Sequence, residues 1–322
     1  LGGSNVRILG QIDVLRAVRL GYDNLADFNA LGLDPDDLAY NYPVTIPPRA
    51  EIEAQNGIVG FGGTALEFLG ITGDNSLWGK GVKIAVIDTG IEPHLALSDN
   101  IQYINLVELD EGVSAHSHGT SVASLIAGTH PNLLGVAPGA DLISVRVADE
   151  TGYSNSFLLA QGIIEAVLNG AEVINISMGS DNNSSTVYDA VKYAVENGAV
   201  IIVSPGNDGY NQSAYPARYE EVISVGAVDS LGQHLNFSNT DSNMSVSAPG
   251  LQITAAYPGD QVTDFTGTSA SAPFFSGAVA AVMSQSSTPI SAQEAVNILL
   301  STTNEAGAPG QDPEFGNGIL DV

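Results

Sequence analysis

The chain lacks cysteine entirely and has few basic residues for its length. With no cysteine among 322 residues, disulfides, cysteine-ligated zinc, iron–sulfur clusters and thiol nucleophiles are all excluded. Only 9 residues are Lys or Arg against 36 Asp or Glu, which gives a formal net charge of −27. A field of that sign repels nucleic acids and anionic lipids, so we expect no nucleic-acid partner and no membrane partner.

Long hydrophobic runs are lacking as well, because no apolar stretch reaches the roughly 18 residues that a membrane-spanning helix needs. Hydrophobic residues nevertheless make up 44% of the chain, which is typical of a folded globular protein. A chain of this length can bury a sizeable core without disulfides. The first residue is Leu, so we expect a longer precursor, a removed signal peptide and a secreted protein.

Residues 1–70 differ in pattern from the rest of the chain. Loosely helical apolar spacing over residues 6–38 predicts a small helical piece. The prolines at positions 43, 47 and 48 then predict an extended linker over 40–48, because proline cannot continue a helix. We therefore interpret residues 1–70 as an N-terminal extension or prodomain remnant with a linker, and residues 71–322 as a separate main domain.

From residue 82 onwards, short β-branched runs alternate with helical patterns. Strands are predicted over 82–87, 142–147, 173–176, 200–203 and 222–228, and helices over 119–128, 155–169, 186–197, 268–284 and 291–300. This alternation is typical of βαβ units. We expect an α/β fold of three layers, in which helices flank both faces of a mostly parallel sheet.

Ligands of such sheets bind beyond the carboxyl ends of the strands, and Asp88 stands at one predicted end. It follows a run of buried residues and precedes Thr89-Gly90. A turn cap is the alternative interpretation. Asp-Thr-Gly is also the signature of aspartic proteases, but that chemistry requires two carboxylates sharing a proton, and no second such triplet occurs.

His118 begins a predicted helix beside Gly119. Glycine costs a helix about 0.8–1 kcal/mol, which favours a close approach of another group at this point. A structural histidine is the alternative. His116 completes a His-x-His pair, but no third ligand follows at metal spacing, so we predict no metal here.

Ser269 and Asn207 supply two further polar groups. Ser269 lies in Gly-Thr-Ser-Ala-Ser-Ala-Pro at a predicted helix start, where it is either a helix cap or a nucleophile beside free N–H groups. Asn207 follows the strand predicted over 200–203 and is either a turn residue or an oxyanion donor. The Gly-x-Ser-x-Gly elbow of α/β hydrolases is lacking, and their order of catalytic residues differs from the order here.

Taken together, these four segments resemble the subtilisin-like serine proteases in order and spacing. The resemblance extends over about residues 70–322 and implies a catalytic domain over 71–322. It implies that Ser269 is the nucleophile, that His118 is the general base and then acid, and that Asp88 orients the imidazole. Asn207 and the Ser269 N–H would form the oxyanion hole.

The resemblance also implies a groove that binds an extended peptide by strand addition. One wall would be formed by Ser177, Met178 and Gly179, and the other by Gly152 and Tyr153. Gly206, which precedes the oxyanion asparagine, completes the set of expected substrate-binding residues.

The expected activity is therefore that of a secreted serine endopeptidase, which cleaves extended polypeptides through an acyl-enzyme and needs no cofactor for the chemistry. The segment 129–134 is shorter than the loop that supplies calcium ligands in many relatives. A structural Ca²⁺ remains compatible with the acidic composition, but we name no ligands. Two alternatives stay open: a maturation protease for one precursor, and an inactive peptide-binding scaffold.

The role of residues 1–70 has two interpretations. Proteases of this family are made with an N-terminal inhibitory prodomain whose end lies in the groove until it is cut. Residues 34–42 form an extended, aromatic stretch of that kind, but the segment is too short for a complete prodomain. We expect a permanent extension packed on the back of the catalytic domain, with inhibition as the alternative.

Overall fold

A sheet of short apolar strands organises the chain in the computed structural model, which describes residues 5–48, 50, 57–110, 113 and 116–322. The strands are β1 (Val6–Ile12), β2 (Ala17–Tyr22), β3 (Pro43–Thr45), β4 (Lys83–Asp88), β5 (Gln102–Asn105), β6 (Thr129–His130), β7 (Leu133–Leu134), β8 (Asp141–Arg146), β9 (Tyr153–Asn155), β10 (Val173–Ile176), β11 (Val200–Val203), β12 (Ile223–Val228), β13 (Met244–Pro249), β14 (Ile253–Tyr257) and β15 (Gln261–Phe265). The helices are α1 (Leu25–Asn29), α2 (Ala65–Phe68), α3 (His118–Ala127), α4 (Ser156–Leu168), α5 (Ser185–Glu196), α6 (Thr268–Gln285) and α7 (Ala292–Ser301).

Within the described part of the chain, seven strands form one parallel sheet in the order β13-β12-β11-β10-β4-β8-β5. Alternation along a strand sends successive side chains to opposite faces. In β4, Ile84 and Val86 join the core shared with α3, α6 and α7, whereas Ala85 and Ile87 join the core shared with α4 and α5. The predicted three-layer α/β architecture is confirmed.

The predicted elements of the main domain lie within two residues of the observed ones. Helices α4 and α5 begin at the side-chain caps of Asn155 and Ser184, which accept from backbone N–H groups three residues later. Both helices end directly before an Asn-Gly pair, whose glycines, Gly170 and Gly198, take positive φ values of 82° and 84°. None of the helices in the described ranges is both long and apolar enough to cross a membrane.

The helical interpretation of residues 6–38 is wrong for residues 6–22, which form strands, and holds only for the short helix α1 (Leu25–Asn29). Strands β1 and β2 form an antiparallel hairpin, which closes through a short 3₁₀ turn and Arg16 with φ of 52°. Ile12 is buried in the core shared with α4 and α5, and Leu15 packs against it. Ile12 and Leu15 thus pack the hairpin against the core of α4 and α5, which periodicity alone does not reveal.

Candidate active site

The four candidate residues converge at the carboxyl end of the sheet. Asp88 is the last residue of β4, and Asn207 lies in the loop after β11. His118 and Ser269 lie in the first turns of α3 and α6, whose N-termini face the same edge. All four are buried, with 9% exposure or less.

Asp88 holds the ring of His118. Both carboxylate oxygens lie 2.9 Å from His118 Nδ1. The Thr89 backbone N–H also donates to Asp88 Oδ1 at 2.7 Å, which fixes the carboxylate. With a carboxylate at Nδ1, the proton of the neutral ring is held on that nitrogen, and Nε2 is left as the basic atom.

Gly119 allows helix α3 to approach the turn after β4. A Cβ at this position would lie 2.3 Å from the Gly90 carbonyl oxygen and 3.2 Å from Asp88 Oδ1. Any larger residue would therefore push His118 away from Asp88. This contact gives the physical reason for the His-Gly pair in the sequence.

Ser269 is positioned by the start of α6. Its hydroxyl donates to the Ser177 carbonyl oxygen at 3.4 Å, and the Ser177 hydroxyl donates to the Ser269 carbonyl oxygen at 3.4 Å. The Ser269 carbonyl is available for this contact because Pro273, four residues later in the helix, has no N–H. The nucleophile candidate is thus tied to one wall of the groove.

Asn207 is oriented by the residue that starts α6. The backbone N–H and the hydroxyl of Thr268 both donate to Asn207 Oδ1 at 2.9 Å. The amide nitrogen then points the other way and donates to the Pro48 carbonyl oxygen at 3.2 Å. Gly267, with φ of 139°, makes room for this amide, because a Cβ there would lie 2.8 Å from Asn207 Nδ2.

A strand of the chain itself lies between the two expected groove walls. The Thr45 N–H donates to the Gly179 carbonyl at 3.0 Å, and the Gly179 N–H donates back to the Thr45 carbonyl at 2.9 Å. On the other side, β3 pairs antiparallel with β9, and the Ile46 N–H donates to the Gly152 carbonyl at 3.1 Å. Residues 43–48 therefore lie in the groove and not on the back of the catalytic domain, which corrects the expected packing of this segment.

The expected substrate-binding residues surround this strand in different ways. Gly152, Tyr153 and Gly179 pair with it through the backbone. Met178 is fully buried in the core shared with α4 and α5, where Val44 is also buried. The Gly206 carbonyl oxygen lies 3.3 Å from the Thr268 hydroxyl, as a second and more distant acceptor beside Asn207 Oδ1.

Tyr42 and Asn41, at the end of the aromatic stretch 34–42, tie the segment to the start of α4. The Tyr42 N–H donates to the Ser156 hydroxyl at 3.0 Å, and the Ser156 N–H donates to the Tyr42 carbonyl at 2.8 Å. Asn41 Oδ1 accepts from the Phe157 N–H at 3.0 Å. These partners are more than 100 positions apart in the chain, so no local pattern joins them.

His116 lies beside the site without joining it. Its ring centre is 6.4 Å from that of His118, and its carbonyl accepts from the Thr89 hydroxyl at 2.9 Å. Burial and the neighbouring His118 lower the pKa of His116. Among the described residues, no group of three His, Asp or Glu side chains is arranged to hold a metal ion.

Known proteins resemble the part of the chain that contains the four candidate residues. A family model described as the subtilase family matches residues 79–318. Subtilisin E of Bacillus subtilis (strain 168) is 34% identical over 299 residues, which cover 90% of this chain and 74% of subtilisin E. Subtilisin Savinase of Lederbergia lenta is 33% identical over 251 residues, which cover 77% of this chain and 92% of that protein. A thermostable alkaline protease of Halalkalibacterium halodurans is 35% identical over 256 residues, which cover 77% of this chain and 68% of that protease.

Proposed function

Because the chain belongs to the subtilase family of serine endopeptidases, we propose that it cleaves extended polypeptides with Asp88, His118, Ser269 and Asn207. The observation that carries this assignment is the position of residues 43–48. A polypeptide strand pairs with both groove walls and places a carbonyl oxygen 3.2 Å from Asn207 Nδ2. A substrate laid in the same way presents its carbonyl to the start of α6.

In the proposed reaction, Ser269 Oγ rotates from Ser177 towards His118 and attacks the substrate carbonyl carbon. The hydroxyl proton passes to His118 Nε2, and Asp88 stabilises the imidazolium through Nδ1. Asn207 Nδ2 and the Ser269 N–H receive the developing oxyanion. His118 then gives its proton to the leaving nitrogen as the C–N bond breaks, which leaves an acyl-enzyme. Water repeats the sequence and releases the acid.

We further propose that residues 43–48 restrict access to the groove in the full chain. The segment occupies the backbone hydrogen bonds that a substrate strand would use at Gly152 and Gly179. Val44, only 1% exposed, fills the apolar space between the walls. Pro47 and Pro48 lack N–H groups, so the end of the segment cannot donate to the Ser177 carbonyl, which instead accepts from Ser269.

Two further proposals concern the location of the protein and its need for a cofactor. We propose a secreted protein, by analogy with the subtilisins that it resembles. We also propose that the chemistry needs no cofactor, because protein groups supply the nucleophile, the base and the oxyanion donors. A calcium ion for stability stays a prediction without named ligands.

The test is labelling with a fluorophosphonate, followed by mapping of the labelled residue. We expect the label on Ser269 and none on the Ser269→Ala variant. No label on Ser269, even after the groove segment is loosened by substitution of Thr45, would contradict the assignment and favour the inactive scaffold.

A peptide library then distinguishes the remaining alternatives. The cleaved bonds of a diverse library are mapped by mass spectrometry. Cleavage at many sequences supports a broad endopeptidase, whereas cleavage confined to one sequence supports a maturation protease.

A further inference from the structure

A cavity of about 1340 Å³ lies next to the groove, at the end from which the strand enters. One wall is formed by residues 38–42 of the N-terminal segment. The other walls come from the start of α5 and from the segments 211–221, 240–243 and 308–314. Nothing in the proposed reaction uses this space.

The cavity continues the path of the groove-bound strand. Residues 43–46 pair with the groove walls, and Tyr42 and Tyr40, directly before them, line the cavity. The wall that contains Gly179 leads directly into Asn183 and Ser184, which also line it. A polypeptide bound in the groove therefore has its preceding residues in or beside the cavity.

Three tyrosine rings form a fixed wall opposite that path. The ring of Tyr219 lies 5.0 Å from the ring of Tyr188 and 5.0 Å from that of Tyr215. The Tyr219 hydroxyl donates to Asn183 Oδ1 at 2.8 Å. Tyr219 is buried and holds the half-buried rings of Tyr188 and Tyr215 in place, and rings fixed in this way can contact a peptide at a small entropy cost.

The charges that line the cavity favour a cationic side chain on a bound peptide. Its lining contains the acidic residues Glu220, Glu221, Asp241, Asp312 and Glu314, and Arg218 is the single cationic residue among the described ones that line it. The carboxylates of Asp241 and Asp312 already accept backbone N–H groups, so Glu220 and Glu221 are the ones tested below. The Arg218 guanidinium lies 5.4 Å from the centre of the Tyr215 ring. A cationic side chain entering the cavity meets both carboxylates and aromatic faces, and both attract it.

We infer that this cavity is an extended substrate site that prefers basic residues several positions before the cleaved bond. The inference rests on the proposed function and adds a specificity determinant to it. In the register of the chain's own strand, Tyr42 and Tyr40 lie six and eight residues before Pro48, whose carbonyl contacts Asn207. Arg or Lys at these two positions should therefore be favoured over Glu.

The experiment is a competition between peptides in one solution with the full chain. Two long peptides differ only in carrying Arg or Glu at the seventh and ninth residues before the cleaved bond, which correspond to Tyr42 and Tyr40 when Pro48 is the last residue before it, and a short peptide has only four residues before that bond. The ratio of kcat/KM values from competition does not depend on how much of the enzyme has an open groove. We expect the Arg peptide to be cleaved about three- to tenfold faster at low salt, as partly exposed ion pairs allow. The preference should shrink as salt shortens the screening length.

Two double variants are compared. The first combines Glu220→Gln with Glu221→Gln at the cavity, and the second, the control, combines Glu67→Gln with Glu108→Gln. Both pairs raise the net charge equally, but Glu67 and Glu108 are exposed residues that do not line the cavity. The first pair should lose most of the preference and still cleave the short peptide at the original rate, which also shows that it folds. The second pair should keep the preference.

The outcomes separate the two proposals. Cleavage of the short peptide without any preference between the long ones overturns the extended site and leaves the protease assignment intact. If both double variants keep the same preference for the Arg peptide, the extended site is also overturned, because the net charge of −27 would then explain the preference without the cavity. No cleavage of any peptide, either by the full chain or by its Thr45→Pro variant with a loosened groove segment, contradicts the proposed function and, with it, the extended site.

Discussion

Thr268 orients the side-chain amide of Asn207: its backbone N–H and its hydroxyl both donate to Asn207 Oδ1 at 2.9 Å. This pair of hydrogen bonds decides which end of the side-chain amide faces the groove. The proposed oxyanion donor is thus oriented by the residue that immediately precedes the proposed nucleophile.

Replacing Asn207 with Ala should lower kcat by about 10²–10³ and leave KM almost unchanged, a loss known from a subtilisin itself. The reason is that the donor bond strengthens only as the oxyanion forms. Thr268→Val should cost about two- to tenfold in kcat, because one of the two orienting bonds is lost. Steady-state kinetics measure both, and Thr268→Ser, which keeps the hydroxyl, is the control. An unchanged kcat for Asn207→Ala would remove this residue from the site.

Ser269→Ala and His118→Ala should each abolish hydrolysis, and the double variant should be little worse than either. The two groups act as one proton-transfer unit, so their losses do not add. Single-turnover rates with a sensitive peptide substrate measure the residual activity of all three variants. Losses that multiply across the double variant would contradict the assignment.

Thr45→Pro should raise the initial rate several-fold. The substitution removes the N–H that donates to Gly179, so the segment is held less firmly in the groove. Thr45→Val keeps that N–H and serves as the control. The rate on a short peptide is followed from the moment of mixing. Equal initial rates for the two variants and the parent chain would show that the segment does not inhibit.

Gly119→Ala should reduce both stability and activity. The added Cβ would lie 2.3 Å from the backbone oxygen of Gly90, and backbone cannot move aside cheaply. Overpacking of this kind costs about 1–3 kcal/mol and here also separates His118 from Asp88. Urea unfolding and kcat/KM are measured together. Gly63→Ala, where a Cβ meets nothing within 4 Å, should change neither quantity.

The stability of the protein should fall in mild acid because of His234. Burial lowers the pKa of His234 below its usual value of 6.5, so the unfolded chain takes up the proton first. Its contribution to the free energy of unfolding is complete above pH 6.5 and is lost as the pH falls through the folded-state pKa. Urea unfolding between about pH 7.5 and 5.5 should show a smaller pH dependence for His234→Gln than for the parent chain.

The strands and helices that the sequence predicted are those whose apolar pattern is continuous. Strand β13 escaped prediction because two of its buried residues, Ser245 and Ser247, are polar and are satisfied by hydrogen bonds across the fold. Strand β5 escaped because it is an edge strand with largely exposed residues. Local patterns report burial only where burial is apolar.

The candidate site likewise has a part that could be predicted from the sequence and a part that could not. The sequence could single out four candidates that the structure brings to one edge of the sheet, because each lies in a short motif next to a strand end or a helix start: Asp88, His118, Asn207 and Ser269. The position of residues 43–48 was not, because it depends on pairing with Gly152 and Gly179, more than 100 residues away. Proline-rich sequence predicts an extended conformation but not the partner of the extended strand.

The mutual pair of bonds between Thr45 and Gly179 has a use beyond catalysis. While the segment lies in the groove, the Gly179 amide hydrogen is engaged, and when the segment leaves, that hydrogen faces water. Its rate of deuterium uptake therefore reports the fraction of molecules with an occupied groove. One backbone amide can thus be followed in the intact chain without any substrate being turned over.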